Sequence, residues 1–127
     1  MRCAVKGPIV ALIFLGAVGT FSAVFARNSP CTAAAACADV LTLDSGGSLR
    51  FYRSLPLTRS ETVRRAVIVV HGNGRNADDY FDYAISAAKL EHKLQDTVVL
   101  APNFRTRNDG PAATEHYWSK SGWKTGN

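Results

Sequence analysis

The sequence predicts an α/β fold: a mixed sheet opened by an antiparallel hairpin and continued by parallel strands joined through one crossover helix. Three observations carry this. Two short apolar runs, residues 40–43 and 49–55, flank a turn-forming segment. Two continuous β-branched runs, residues 65–70 and 97–101, come later. A stretch with helical apolar spacing, residues 77–93, lies between them.

The segment Asp44-Ser45-Gly46-Gly47-Ser48 joins the first two runs and favours a tight reversal, which is a hairpin signal. The polar segment 58–62 then leads into Arg65-Ala66-Val67-Ile68-Val69-Val70. That run is continuous rather than alternating, the pattern of a strand buried on both faces. The turn His71-Gly72-Asn73-Gly74-Arg75-Asn76 follows. Asn76 is a favourable N-cap, and Asp78 and Asp79 in the first turn complement the helix dipole. Ala77, Phe81, Ala84, Ile85 and Ala88 share one helical face, and Asp79, Asp82, Ser86, Lys89 and Lys93 another. Thr97-Val98-Val99-Leu100-Ala101 reads as a second buried strand stopped by Pro102, and the strand, helix, strand order implies a parallel crossover. Residues 102–127 have no clear period. One helix cannot cover both faces of such a sheet, so the sequence reads as the front part of a larger α/β domain.

Ahead of this domain, residues 1–26 begin with Arg2 and Lys6, run without charge from residue 8 to 26 and end Val24-Phe25-Ala26 before Arg27. This reads as a cleaved export leader, with retention as a membrane anchor the alternative. Residues 27–38 are small and polar, which suits a flexible lead-in, so that order is expected from about Asp39 through 127. Cys31 and Cys37 would meet an oxidising compartment and are a candidate disulfide. Two thiols with no nearby histidine do not make a zinc site, and no metal or cofactor is expected.

The 127-residue chain carries a formal net charge of +5. Removing Arg2 and Lys6 with the leader leaves 13 basic against 10 acidic residues, a net +3. The basic residues are scattered, which argues against nucleic acid as a partner.

The glycine turn admits several chemistries. Gly72-Asn73-Gly74-Arg75-Asn76-Ala77 fits the dinucleotide pattern G-x-G-x-x-A, but the next strand ends Leu100-Ala101-Pro102, without the acid that would hold a ribose. A phosphate loop would need a Lys-Ser/Thr pair that is absent. Asp44-Ser45-Gly46-Gly47 has no histidine before it, so a trypsin-like triad is excluded by order. Ser121-x-x-Lys124 and Lys124-Thr125-Gly126 match two penicillin-binding signatures but share one lysine. What remains is acyl transfer, which needs backbone N–H groups fixed where a carbonyl oxygen becomes negative.

Val67-Ile68-Val69-Val70-His71-Gly72, an acidic helix and Val98-Val99-Leu100-Ala101-Pro102-Asn103-Phe104 together resemble the N-terminal part of the α/β-hydrolase fold, over roughly residues 40–127. The resemblance implies that backbone N–H groups of Asn73 or Gly74 form half of an oxyanion hole, with His71 and Gly72 as loop architecture. It implies a small acyl substrate, an ester, amide or similar bond, for the full-length protein. The segment 117–126 resembles the aromatic loop lining the pocket of some secreted hydrolases of this fold, which makes Tyr117, Trp118 and Trp123 candidate lining residues. No serine here sits in G-x-S-x-G, and the fold places nucleophile, acid and histidine later. The chain is therefore expected to be inactive alone. His92 reads as a surface residue and His116 as a pocket or ligand candidate. The competing reading is a non-enzymatic exported binding module that uses Tyr117, Trp118 and Trp123.

Overall fold

At the first chain reversal, Gly46 takes a φ of +82°, a left-handed value that a side chain would strain. Its N–H donates to the Leu43 carbonyl (2.9 Å), and the Leu43 N–H donates to the Gly47 carbonyl (2.8 Å). This turn joins β1 (Ala38–Thr42) to β2 (Ser48–Arg53), antiparallel with Val40 opposite Arg50. A computed structural model of the protein describes residues 29–118, and in it the expected hairpin forms. The leader, residues 1–26, and Trp123 lie outside the described residues.

Beyond the hairpin come β3 (Arg65–Ile68), helix α2 (Ala77–Leu90) and β4 (Thr97–Pro102). β3 and β4 pair in parallel from Arg65 opposite Thr97 to Ile68 opposite Leu100, as the strand, helix, strand order implies. β4 also pairs antiparallel with β2, so the sheet order is β1-β2-β4-β3. This is an α/β arrangement in the general sense, with a mixed sheet.

The core lies between α2 and β4. Phe81 and Ile85 pack on Val99 and Ala101, with Leu94, Ala34 and Cys37 around them and Ala84, Ala88 and Val69 at the margin. The predicted apolar face of the helix is the buried one. Ser54 is also buried, and its hydroxyl accepts the Val99 N–H (2.8 Å) while its N–H reaches the Val99 carbonyl (3.0 Å). Both polar groups are satisfied, so the end of β2 stays locked to β4.

Four expectations need correction. The lead-in 27–38 is structured from residue 29. Cys31 and Cys37 form a disulfide (Cα–Cα 5.6 Å) around the single helical turn α1 (Ala34–Cys37). The Cys31 N–H donates to the Ser54 carbonyl (2.7 Å) and the Ala34 N–H to Asp82 Oδ1 (2.9 Å). The apolar side chains of the short turn thus join the core, which a composition argument does not capture.

The second correction concerns β3, expected to be buried on both faces. Val67, Ile68 and Val70 are 41%, 65% and 48% exposed. β4 has a strand on each side and a helix over it, whereas β3 has one neighbouring strand among the described residues. The third is the helix end: α2 stops at Leu90 rather than 93, because His92 takes a left-handed φ of 54° and Lys93 donates back to the Ala88 carbonyl (2.9 Å). Lastly, Asn76 precedes the helix but makes no side-chain cap; its amide donates instead to Asp79 Oδ2 (2.9 Å).

Candidate functional site

The turn after β3 and the segment after β4 lie at the same, carboxyl, end of the two parallel strands. His71 joins them. Its ring is 2% exposed, and Nε2 accepts the Phe104 N–H (2.9 Å). A backbone N–H can only donate, so the proton sits on Nδ1, which donates to the Gly72 carbonyl (2.8 Å). Both ring nitrogens are thus engaged with backbone, and the Phe104 ring stands 5.8 Å from the imidazole. His71 thus links the turn after β3 to the segment after β4.

From there the chain turns back at once, with the Arg75 N–H reaching the Gly72 carbonyl (3.2 Å). Arg75, not either glycine, takes the left-handed conformation, with φ 53°. Neither glycine of the turn has a positive φ, and only at Gly74 would a side chain be crowded. A Cβ on Gly74 would come within 3.1 Å of Asn76 Oδ1, and one on Gly72 would touch the Tyr80 hydroxyl at 3.5 Å. Asn73 and Gly74 stand exposed at the tip.

A latch holds this tip. The Arg75 guanidinium donates to the Asn73 carbonyl (2.8 Å) and from Nε to Asp109 Oδ1 (2.8 Å), with the same Nε 2.7 Å from Oδ2 in an ion pair. Asp109 is fixed in turn by the Thr106 N–H (2.6 Å) and hydroxyl (2.8 Å), closing a reciprocal cap on the one-turn helix Arg107–Asp109. Burial alone would raise the Asp109 carboxyl pKa. The Arg75 hydrogen bond, the two from Thr106 and the Arg75 charge outweigh burial and hold it at about 2.

Residues 103–118, which the sequence leaves without a period, are braced by Glu115. It is buried and accepts from Arg105 (2.9 Å) and the Ala112 N–H (3.1 Å), with Arg50 3.9 Å from its other oxygen. Arg105 also donates to the Asp109 and Gly110 carbonyls. The His116 N–H bonds the Ser48 carbonyl (2.7 Å) and the Trp118 N–H the Arg105 carbonyl (3.0 Å). Of the candidate lining residues, Tyr117 is exposed, while Trp118 is half-buried with its ring edge-on to Phe104 (5.1 Å) and His116 (4.4 Å). His116 is a packing neighbour of Trp118, and His92 is exposed at the end of the helix.

The structure thus brings His71, the glycine turn, Phe104 and Trp118 to one end of the sheet. Sequence reasoning missed Arg75, Arg105, Asp109 and Glu115. The Thr106-x-x-Asp109 spacing was a usable cap signal for one of them. A surface concavity of about 270 Å³, lined by Cys31, Cys37, Asp39, Arg53, Ser54 and Leu55 among others, lies at the opposite end. There Arg53 pairs with Asp39, and this hydrogen bond, with that of the Val40 N–H, holds the Asp39 carboxyl below its usual range. Among the described residues no group of three His, Cys, Asp or Glu side chains is placed to hold a metal ion. No family model, curated protein or solved structure matches the chain.

Proposed function

We propose that this chain is the N-terminal part of an exported protein of the α/β-hydrolase fold that cleaves ester, amide or similar acyl bonds. In this reading the chain supplies the oxyanion-hole turn, and the serine, acid and histidine come from sequence beyond it. The observation that carries the reading is the brace from Phe104 N–H to His71 Nε2 (2.9 Å). It ties the start of the turn, at His71, to the loop after β4. Preorganised donors are what oxyanion stabilisation needs, each lowering the barrier by about 3 kcal/mol. A leader sequence and the Cys31–Cys37 disulfide suit an oxidising compartment.

Without a nucleophile the 127-residue chain forms no acyl-enzyme, so it should not hydrolyse p-nitrophenyl acetate faster than its denatured form. Turnover above that control would contradict the assignment of the triad elsewhere. The wider reading is tested in the coding DNA past the Asn127 codon: G-x-S-x-G in any frame soon after it supports a hydrolase. A stop with no related sequence beyond it overturns the reading. The binding-module alternative draws less support, because Trp118 is engaged in packing against Phe104 and His116.

A further inference from the structure

The tip of the glycine turn carries a second chemistry. Gly72 and Arg75 close a four-residue reversal, with the Arg75 N–H on the Gly72 carbonyl (3.2 Å) and Asn73 and Gly74 exposed between them. Asn73-Gly74 is the one Asn-Gly pair in the sequence. An asparagine loses its side-chain amide when the backbone nitrogen of the next residue attacks Cγ. That attack needs the nitrogen to be accessible, unshielded and deprotonated.

Gly74 meets each need. Among the described residues its N–H donates to nothing, and it has no Cβ to shield the nitrogen. The carbonyl of the same peptide unit, that of Asn73, accepts from the Arg75 guanidinium (2.8 Å). A cation on that oxygen stabilises the negative charge that the peptide unit takes on when its nitrogen loses a proton.

The other described asparagines lack this combination. The nitrogens after Asn103 and Asn108 are engaged, the Phe104 N–H with His71 Nε2 (2.9 Å) and the Asp109 N–H with the Thr106 carbonyl (3.0 Å). Asn76 is followed by Ala77, buried at the start of α2. Asp109-Gly110 has the composition for the same ring closure. There, however, the Gly110 N–H bonds the Arg107 carbonyl (3.4 Å), and Arg75 and Thr106 hold the Asp109 carboxyl ionised, which makes it a poor electrophile.

We infer that Asn73 is a site of spontaneous deamidation in the folded protein. Gly74 N bonds to Asn73 Cγ and gives its proton to solvent. The Cγ–Nδ2 bond breaks, and Nδ2 leaves as ammonia with a proton taken from water. The resulting succinimide then takes up one water. Opening at Cγ leaves aspartate at position 73. Opening at the backbone carbonyl leaves isoaspartate, in which the main chain runs through the side chain and is one methylene longer. Either product adds a negative charge to the tip. On the acyl-transfer reading that charge would oppose a developing oxyanion, but the site itself does not rest on that reading.

Trypsin isolates the position, because peptide 66–75 holds Asn73 as its one asparagine and contains no glutamine. The folded full chain, incubated at mildly alkaline pH and compared with an unincubated sample, should gain the amide-to-acid mass at Asn73 at least about tenfold faster than at Asn76, Asn103 or Asn108. Aspartate and isoaspartate forms of the peptide should separate on chromatography, whereas direct hydrolysis of the amide gives aspartate alone. Gly74→Ala shields the nitrogen and should slow the gain at least about tenfold. Its Cβ would stand 3.1 Å from Asn76 Oδ1, so that side chain has to shift. If the variant does not fold, Asn73→Gln takes its place: ring closure would then need six members, and the amide should be retained. A gain at Asn73 no faster than at the other three asparagines overturns the inference. So do a product without isoaspartate and a rate that the substitution leaves unchanged.

Discussion

The two flanks of α2 have opposite fates, one covered by a neighbouring segment and the other, which carries Tyr80, Tyr83 and Leu90, exposed. On one, the disulfide-closed turn α1 buries Ala34 and Cys37 beside Phe81 and Ile85, and Asp82 holds the Ala34 N–H. On the other, Tyr83 and Leu90 of the helix and Ile68 of the strand remain exposed. Apolar composition alone therefore does not decide burial. What decides it is whether a neighbouring segment is tethered close enough to cover the surface.

The sharpest way to break the comparison is to truncate one side chain on each flank. Phe81→Ala, at a fully buried site, should cost about 3–4 kcal/mol in urea unfolding, the loss of transfer energy plus a cavity. Tyr83→Ala, at a site 69% exposed, should stay within about 0.5 kcal/mol. Equal costs would mean that the open flank is covered in solution.

A smaller effect should come from the tether. Replacing Cys31 and Cys37 together by alanine should lower stability by about 2 kcal/mol, the value for closing so short a loop. Hydrogen exchange should then speed up at Ala34 before it does in β4, because the turn's packing depends on the bridge and that of β4 does not.

The smallest concerns the glycine tip. Asp109→Asn should cost about 1–1.5 kcal/mol at neutral pH, a figure reduced for the partial exposure of Arg75. The carboxyl's folded pKa, about 2, lies below the ordinary carboxylate value, so its contribution is complete above the unfolded pKa of about 4. It is lost as pH falls through the folded value. The gap in urea midpoint between wild type and variant should accordingly be constant from pH 7 to 5 and close between pH 4 and 2. A gap that widens on acidification would mean that Arg75 does not stabilise the ionised form. Asp39 and Asp96 are shifted in the same direction by Arg53 and Arg65, so acid should weaken all three ties together.

Much of the fold was legible because it is written in local periodicity. Two short apolar runs about a turn segment gave the hairpin, the spacing of Phe81, Ile85 and Ala88 gave the buried face of α2, and the run Val98-Val99 gave a buried strand. The glycine turn was found from its place between strand and helix. Its holding groups were not, since Arg75 and Asp109 are 34 positions apart and nothing periodic relates them.

By itself, then, the sequence determined the order and type of the elements, because each depends on residues a few positions apart. Only the tertiary structure decided which apolar strand is central and which is an edge, which nitrogen of His71 carries the proton, and that Arg75 rather than a glycine takes the left-handed position. Those outcomes depend on which distant segments meet. A run such as Ala66-Val67-Ile68-Val69-Val70 has the same composition whether one neighbour lies beside it or two.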